Sequence, residues 1–425
     1  MGFAIWPGLA PPSHPWVWEE LSRWMLSSKT LLSIVGMTWI AGMTVVLTTY
    51  VLAPFPYWPS FLRIFGFVLT QPMPLRAKVQ QLGFLLVEFI TVPLRSLLWY
   101  LDELLFPGYR QIPIEPVFII GEPRCGSTLL HRTLAKSEQD FFAVRHLEWR
   151  FPFLTLQLAI AWLGLRQFLG GISYWPDSDV GNLAARMHPN RLDDWEEDGI
   201  FFEESFCHHF FIFLRFPYPK LLKIVDNFAS LPEHAQQMML EKHHKAVQKV
   251  AYLKKDKPRY YLSKEVTSHD KIPFLLQLYP NARFIVLIRE SKDFMSSLVA
   301  LMEASTSAKN AGYAPTTNPT WLPTVQARMQ QDCIKLVDLC RDTLPAEQQL
   351  GIYTNDLFRD IPSSVERIYG WLGLEFKDTI RNQLVQQSKQ QMERDKGYIN
   401  KTTIVSGFED YDQLVQSYAE ASKRR

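Results

Sequence analysis

The chain has 425 residues, 47% of them hydrophobic, and a formal net charge of +2. That size and apolar content support at least one large core, and the near balance of charge excludes a generic nucleic-acid binder. The four cysteines, Cys125, Cys207, Cys333 and Cys340, are too few and too scattered for a disulfide scaffold or a cysteine-rich zinc site.

From Thr30 to Leu62 there is no charged residue, and the stretch LLSIVGMTWIAGMTVVLTTYVLA (31–53) is long enough to cross a bilayer. Tyr50, Tyr57 and Trp58 at its far end suit an aromatic interfacial belt. An N-terminal segment (1–29) therefore leads into an expected transmembrane helix (30–54). A membrane-proximal connector and interfacial helix follow (55–112), rich in proline and aromatics at the start. The apolar run 79–106 carries Glu88 and Arg95 in its middle. Charges are costly in lipid, so that run reads as an interfacial or domain-packed helix rather than a second span.

A soluble domain is expected over 113–425. It opens with IPIEPVFIIGEPRCGSTLLHRTLAKS, which reads as strand, glycine-containing turn and helix. ARFIVLI (282–288) is nearly continuous in apolar residues, as a parallel strand covered on both faces must be. A helix from Lys292 to Met302 follows, then a strand in QLGIYTNDL (349–357) and a Pro-started helix in IPSSVERIYGWLGL. Strands alternating with helices predict an α/β fold with a P-loop-like parallel sheet flanked by helices. Residues 155–260 read as a mostly helical insert.

The turn at Gly121–Thr128 has the frame of a nucleotide-triphosphate loop, but Ser127 stands where that loop needs its lysine. The nearest cation, Arg124, lies inside the turn. Backbone N–H groups between the two glycines, with the N-terminus of the next helix, still make an anion cradle. The second strand ends in Arg289 where a Mg²⁺-holding carboxylate would be needed, which argues against a triphosphate-dependent kinase and for no metal.

GEPRCGSTLLH together with RFIVLIRESKDFMSSL resembles the sulfotransferases that use 3′-phosphoadenosine-5′-phosphosulfate (PAPS). The likeness is to their membrane-linked branch, whose loop reads Pro-Arg-x-Gly-Ser/Thr-Thr, and it covers roughly 115–375. It implies that Arg124, Cys125, Gly126, Ser127 and Thr128 grip the 5′-phosphosulfate, and that Arg289 and Ser297 bind the 3′-phosphate. The family has Asp or Asn and then Pro after its second arginine; here Glu290 and Ser291 follow. The resemblance further implies a glutamate base, which its spacing puts at Glu148 in RHLEWRFPF, with His146 as the backup. It places Lys264 of YYLSKEV at the sulfuryl or bridging oxygen, with Glu265 and His269 as further candidate bases.

Glu196 and Glu197 match an acidic pair expected on the acceptor side, or form a solvated helix face. The expected activity is PAPS-dependent sulfuryl transfer to a hydroxyl or amine, the acceptor being a small molecule, a lipid or a glycan. The family's habit predicts a Golgi membrane protein with a lumenal catalytic domain. NKT at 400–402 is a glycosylation sequon in keeping with it. The non-enzymatic alternative is a degenerate sulfotransferase fold acting as a membrane binding protein.

Overall fold

A computed structural model of the chain describes residues 28–48, 56–208, 214–224, 227–254, 258–266, 269–313, 320–393 and 406–423. The sequon at 400–402 lies outside them. Five parallel strands form one sheet in the order β2-β3-β1-β4-β5: β1 (Pro116–Gly121), β2 (Phe141–Phe142), β3 (Tyr260–Val266), β4 (Arg283–Ile288) and β5 (Gln349–Tyr353). Gly121 pairs in register with Val266 on one side and Leu287 on the other, so β1, β3 and β4 end level. The chain leaves β1 for one neighbour and reaches the other later, which opens a crevice at these carboxyl ends, where α/β sheets bind ligands.

Three helices precede the sheet: α1 (Ser28–Thr48), α2 (Trp58–Thr70) and α3 (Leu75–Leu105). Among the described residues, α3 is the helix long and apolar enough to cross a membrane. The span expected over 30–54 is helical from Ser28 to Thr48, and 49–54 lies outside the described residues. At Gly42, α1 packs so closely on α3 that an added Cβ would collide with the Pro93 carbonyl. Helices approach this closely only through small residues. The connector contains α2, whose Phe61, Ile64 and Val68 pack with Phe206, Phe216, Tyr218 and Leu221 of the insert.

α3 is built inside out. Its charged residues from Val79 to Asp102, namely Glu88, Arg95 and Asp102, are all buried, while Val79, Leu86, Val87, Phe89, Ile90 and Leu94 are exposed. Arg95 pairs with Glu88 at 2.7 Å and with Glu204 at 2.6 Å, and Arg150 meets both carboxylates. Asp102 accepts bonds from the Leu154 and Thr155 backbone N–H groups at 2.6 and 2.8 Å and so caps the helix Leu154–Trp162. Residues beyond the helix thus satisfy the three buried charges that would be costly in lipid.

The rest of the chain covers both sheet faces. In chain order the helices used below are α4 (Ser127–Leu134), α5 (His146–Arg150), α6 (Gly199–Glu204), α7 (Glu233–Leu253), α8 (Ser291–Lys309), α9 (Trp321–Asp338), α10 (Ile361–Leu372) and α11 (Glu409–Lys423). Strand alternation sorts the core. Phe118, Ile120, Phe284, Val286 and Ile288 pack under α7, α8, α9 and α11. Val117, Ile119, Ile285 and Leu287 pack under α4 and α10. The expected insert is helical in pieces, with α6, α7 and several shorter turns.

Candidate active site

The turn after β1 is held in a shape that few residues allow. Gly121 lies against β4, where a Cβ would collide with the Leu287 carbonyl, and Gly126 has a φ of 87°. Arg124 also has a positive φ, 72°, a conformation that strains a residue with a Cβ. Two bonds hold the turn: Thr354 Oγ1 donates to the Cys125 carbonyl at 2.7 Å, and Arg289 Nη1 donates to the Arg124 carbonyl at 2.8 Å. Burial, followed by the nearby Glu122 charge, pushes the Cys125 thiol up to about 12, so this residue offers its backbone and not a nucleophile.

The resemblance assigned Arg124 and Ser297 to opposite ends of one nucleotide, and here Arg124 Nε donates to Ser297 Oγ at 2.9 Å. Beneath the turn, buried His269 meets Glu122 at 3.0 Å. Burial opposes the charge on His269, but the bond to Glu122 raises its pKa. Glu265 pairs with Lys271 at 2.8 Å. Neither candidate base lines the cavity beside the loop. Glu148 lies outside it as well: it accepts from the Arg145 backbone N–H at 2.8 Å in a capping box and pairs with Arg166 at 3.3 Å.

Lys264, on β3, reaches the loop. Its Nζ lies 3.1 Å from Thr128 Oγ1, 3.4 Å from Glu197 Oε1 and 3.7 Å from Glu196 Oε2. The two glutamates are buried rather than solvated, and their environments drive them apart. Burial opposes the charge on Glu196, but Lys264, His188 and Arg132 hold it well below the usual carboxylate range. Burial pushes Glu197 up to about 7 against the pull of Lys264, and the Glu196 charge adds to the rise. Glu197 Oε2 has no hydrogen-bond partner among the described residues. His188, Glu196 and Glu197 are spaced closely enough to hold a cation, and Lys264 already supplies one to both carboxylates.

The cavity over this group is lined by Arg124, Ser127 and Thr128 on the loop side. On the other side stand His146, Tyr174, Trp175, Leu214, Leu301 and Lys309. His146 contacts Asn190 Oδ1 at 2.5 Å, and burial lowers its pKa. Sequence reasoning did not single out Tyr174, Trp175, His188 or Lys309. One signal was available: Leu301, Ser305 and Lys309 repeat the Ser297 face at four-residue spacing.

A glycine-bounded turn between strand and helix, with Lys264 on one flanking strand and Arg289 just past the end of the other, is a P-loop-like arrangement suited to group transfer. Residues 116–378 match the model of the sulfotransferase family, and the chain belongs to that family. Sulfotransferase STF1 of Mycobacterium tuberculosis shares the fold at 14% identity and a TM-score of 0.58, over 89% of this chain and 96% of its own. Sulfotransferase STF9 of Mycobacterium avium does so at 16% identity and 0.60, over 84% and 88%. No curated protein matches the chain.

Proposed function

We propose that the chain moves a sulfuryl group from PAPS to a hydroxyl of an acceptor bound in the cavity, by in-line displacement. The observation that carries this reading is Lys264, held between Thr128 on the loop and the Glu196–Glu197 pair. The 5′-phosphosulfate is assigned to Arg124, the backbone of Cys125 and Gly126, and the hydroxyls of Ser127 and Thr128. The 3′-phosphate is assigned to Arg289 and Ser297. The residues fit this group: the loop carries an arginine, two hydroxyls and a glycine backbone, and a second arginine binds its carbonyl.

Glu197 takes the acceptor proton, because its carboxyl is raised to about 7, lines the cavity and has an unpartnered oxygen. As the new S–O bond forms, the bond from sulfur to the bridging oxygen breaks. Lys264 and the loop donors then meet the charge that builds on the leaving phosphate. Glu148 is given a capping role in this reading, and Glu196 holds Lys264 in place.

The same reading places the protein at a membrane, with the exposed apolar face of α3 in lipid, and keeps the Golgi lumen as the expected compartment. Calorimetry on detergent-purified full chain tests the nucleotide. Tight binding of 3′-phosphoadenosine-5′-phosphate (PAP) or PAPS without a preference for ATP–Mg²⁺ supports the reading. A preference for ATP–Mg²⁺, or binding of none of them, overturns it.

A further inference from the structure

The cavity does not stop at the reacting group. It follows one face of α8, where Leu301, Ser305 and Lys309 succeed each other at four-residue spacing. At the helical rise, this face carries the wall roughly 12 Å, from Leu301 to the helix C-terminus. The middle of the wall is apolar, with Trp175, Ile200, Leu214 and Leu301.

At the far end stands Lys309, only 7% exposed, its Nζ 5.3 Å from the Tyr174 ring centroid and 5.5 Å from that of Trp175. It forms no ion pair among the described residues. Of the carboxylates that line the cavity, Glu196 and Glu197 face Lys264, and Glu203 is matched by Arg215 at 3.7 Å. The rings and the negative end of the α8 dipole favour a cation here, yet neither neutralises it. A buried lysine in a cavity wall with no acid beside it leaves room for an anion from outside.

We infer that the acceptor is an amphipathic acid. Its carboxylate or phosphate binds Lys309, an apolar segment runs past Trp175 and Leu301, and its hydroxyl reaches Glu197. This rests on the proposed reaction for the identity of the hydroxyl end, but the acid end stands on Lys309 alone. The location agrees with such a molecule. Next to Lys309, the Ala308 carbonyl accepts from Gln80 Nε2 at 3.5 Å, Gln81 meets Asn310, and the Arg215 guanidinium lies 3.7 Å from the Phe84 ring centroid. The acid end therefore abuts α3, the helix whose other face is apolar and exposed.

The test is binding of 8-hydroxyoctanoate and of 1,8-octanediol to the full chain, measured with and without PAP, in wild type, Lys309→Gln and Lys309→Arg. The expected result is at least tenfold tighter binding of the acid by wild type, lost in Lys309→Gln and largely kept in Lys309→Arg, with PAP affinity unchanged in all three. Equal affinities in wild type, binding of neither compound, or an acid preference that survives Lys309→Gln overturns the inference. Absent PAP binding would strike the sulfuryl-transfer reading instead, and the comparison without nucleotide would still report on Lys309.

Discussion

Lys264 Nζ lies 3.1 Å from Thr128 Oγ1, tying β3 to the first turn of the helix that follows the loop. The same ammonium faces both glutamates, at 3.4 and 3.7 Å, so one cation bridges the loop side of the cavity and its acidic pair. Replacing it in Lys264→Ala removes charge stabilisation from the leaving oxygen and leaves Glu196 and Glu197 in mutual repulsion. Turnover is expected to fall by about 10²–10³-fold, the size of losing one preorganised donor at developing charge. PAP affinity is expected to fall much less. Initial rates with radiolabelled PAPS, beside PAP calorimetry, measure both, and near-native turnover would remove Lys264 from the mechanism.

The base is decided by a pair of substitutions. Glu197 must be ionised to accept a proton, and its folded value lies near 7, so kcat is expected to rise as pH increases through 7 and then level off. In Glu197→Gln turnover drops at least a hundredfold and that acid limb disappears. Glu148→Gln keeps one acceptor oxygen for the cap but loses the charge that faces Arg166, so it should lower stability by about 1 kcal/mol through α5 while leaving kcat close to native. The reverse pattern would return the role of base to Glu148.

This choice shows where the sequence stops being informative. β1, β4 and the loop between Gly121 and Thr128 were legible because each is a local pattern: an apolar run, a glycine that must adopt positive φ, a helix start. β2 was not, since two residues paired to an edge carry no period. Glu148 drew attention through its distance along the chain from the loop. Glu197 acquires its raised carboxyl only when the fold buries it beside Glu196, against the pull of Lys264 on β3, and no spacing rule encodes that meeting. Likewise Glu88 and Arg95 looked like obstacles to a lipid-facing helix until Glu204 and Arg150, remote in sequence, arrived to pair with them.

Arg289 has two tasks in this structure, holding the Arg124 carbonyl at 2.8 Å and presenting a cation level with the loop. Arg289→Ala should therefore weaken PAP more than tenfold, and Ser297→Ala several-fold, since its hydroxyl accepts a single bond from Arg124 Nε. Calorimetric titration of PAP decides this. Native affinity in Arg289→Ala would dismiss the 3′-phosphate assignment.

The outward face of α3 gives a separate test of membrane contact. Val87 and Ile90 are exposed on α3, so their loss should not disturb the fold. Val87→Asp combined with Ile90→Asp should cut co-flotation with phosphatidylcholine vesicles severalfold while the thermal transition stays within a few degrees of wild type. Undiminished flotation of this variant would place the lipid contact elsewhere.

The inward face of the same helix predicts the opposite balance. Arg95 is the partner shared by Glu88 and Glu204, at 2.7 and 2.6 Å, and all three are buried. In Arg95→Met, the partly exposed Arg150 is left facing two buried carboxylates. Removing one member of such a set usually costs about 3–5 kcal/mol, because the charges left behind stay desolvated. Replacing the whole set, Glu88→Gln with Arg95→Met, Arg150→Met and Glu204→Gln, removes the uncompensated charge and should recover most of that loss. Thermal melts of the two variants in the same detergent read the difference directly. If Arg95→Met melts with wild type, the clamp does not hold α3 to the catalytic domain. If the fourfold variant melts as low as Arg95→Met, geometry rather than charge balance keeps α3 in place.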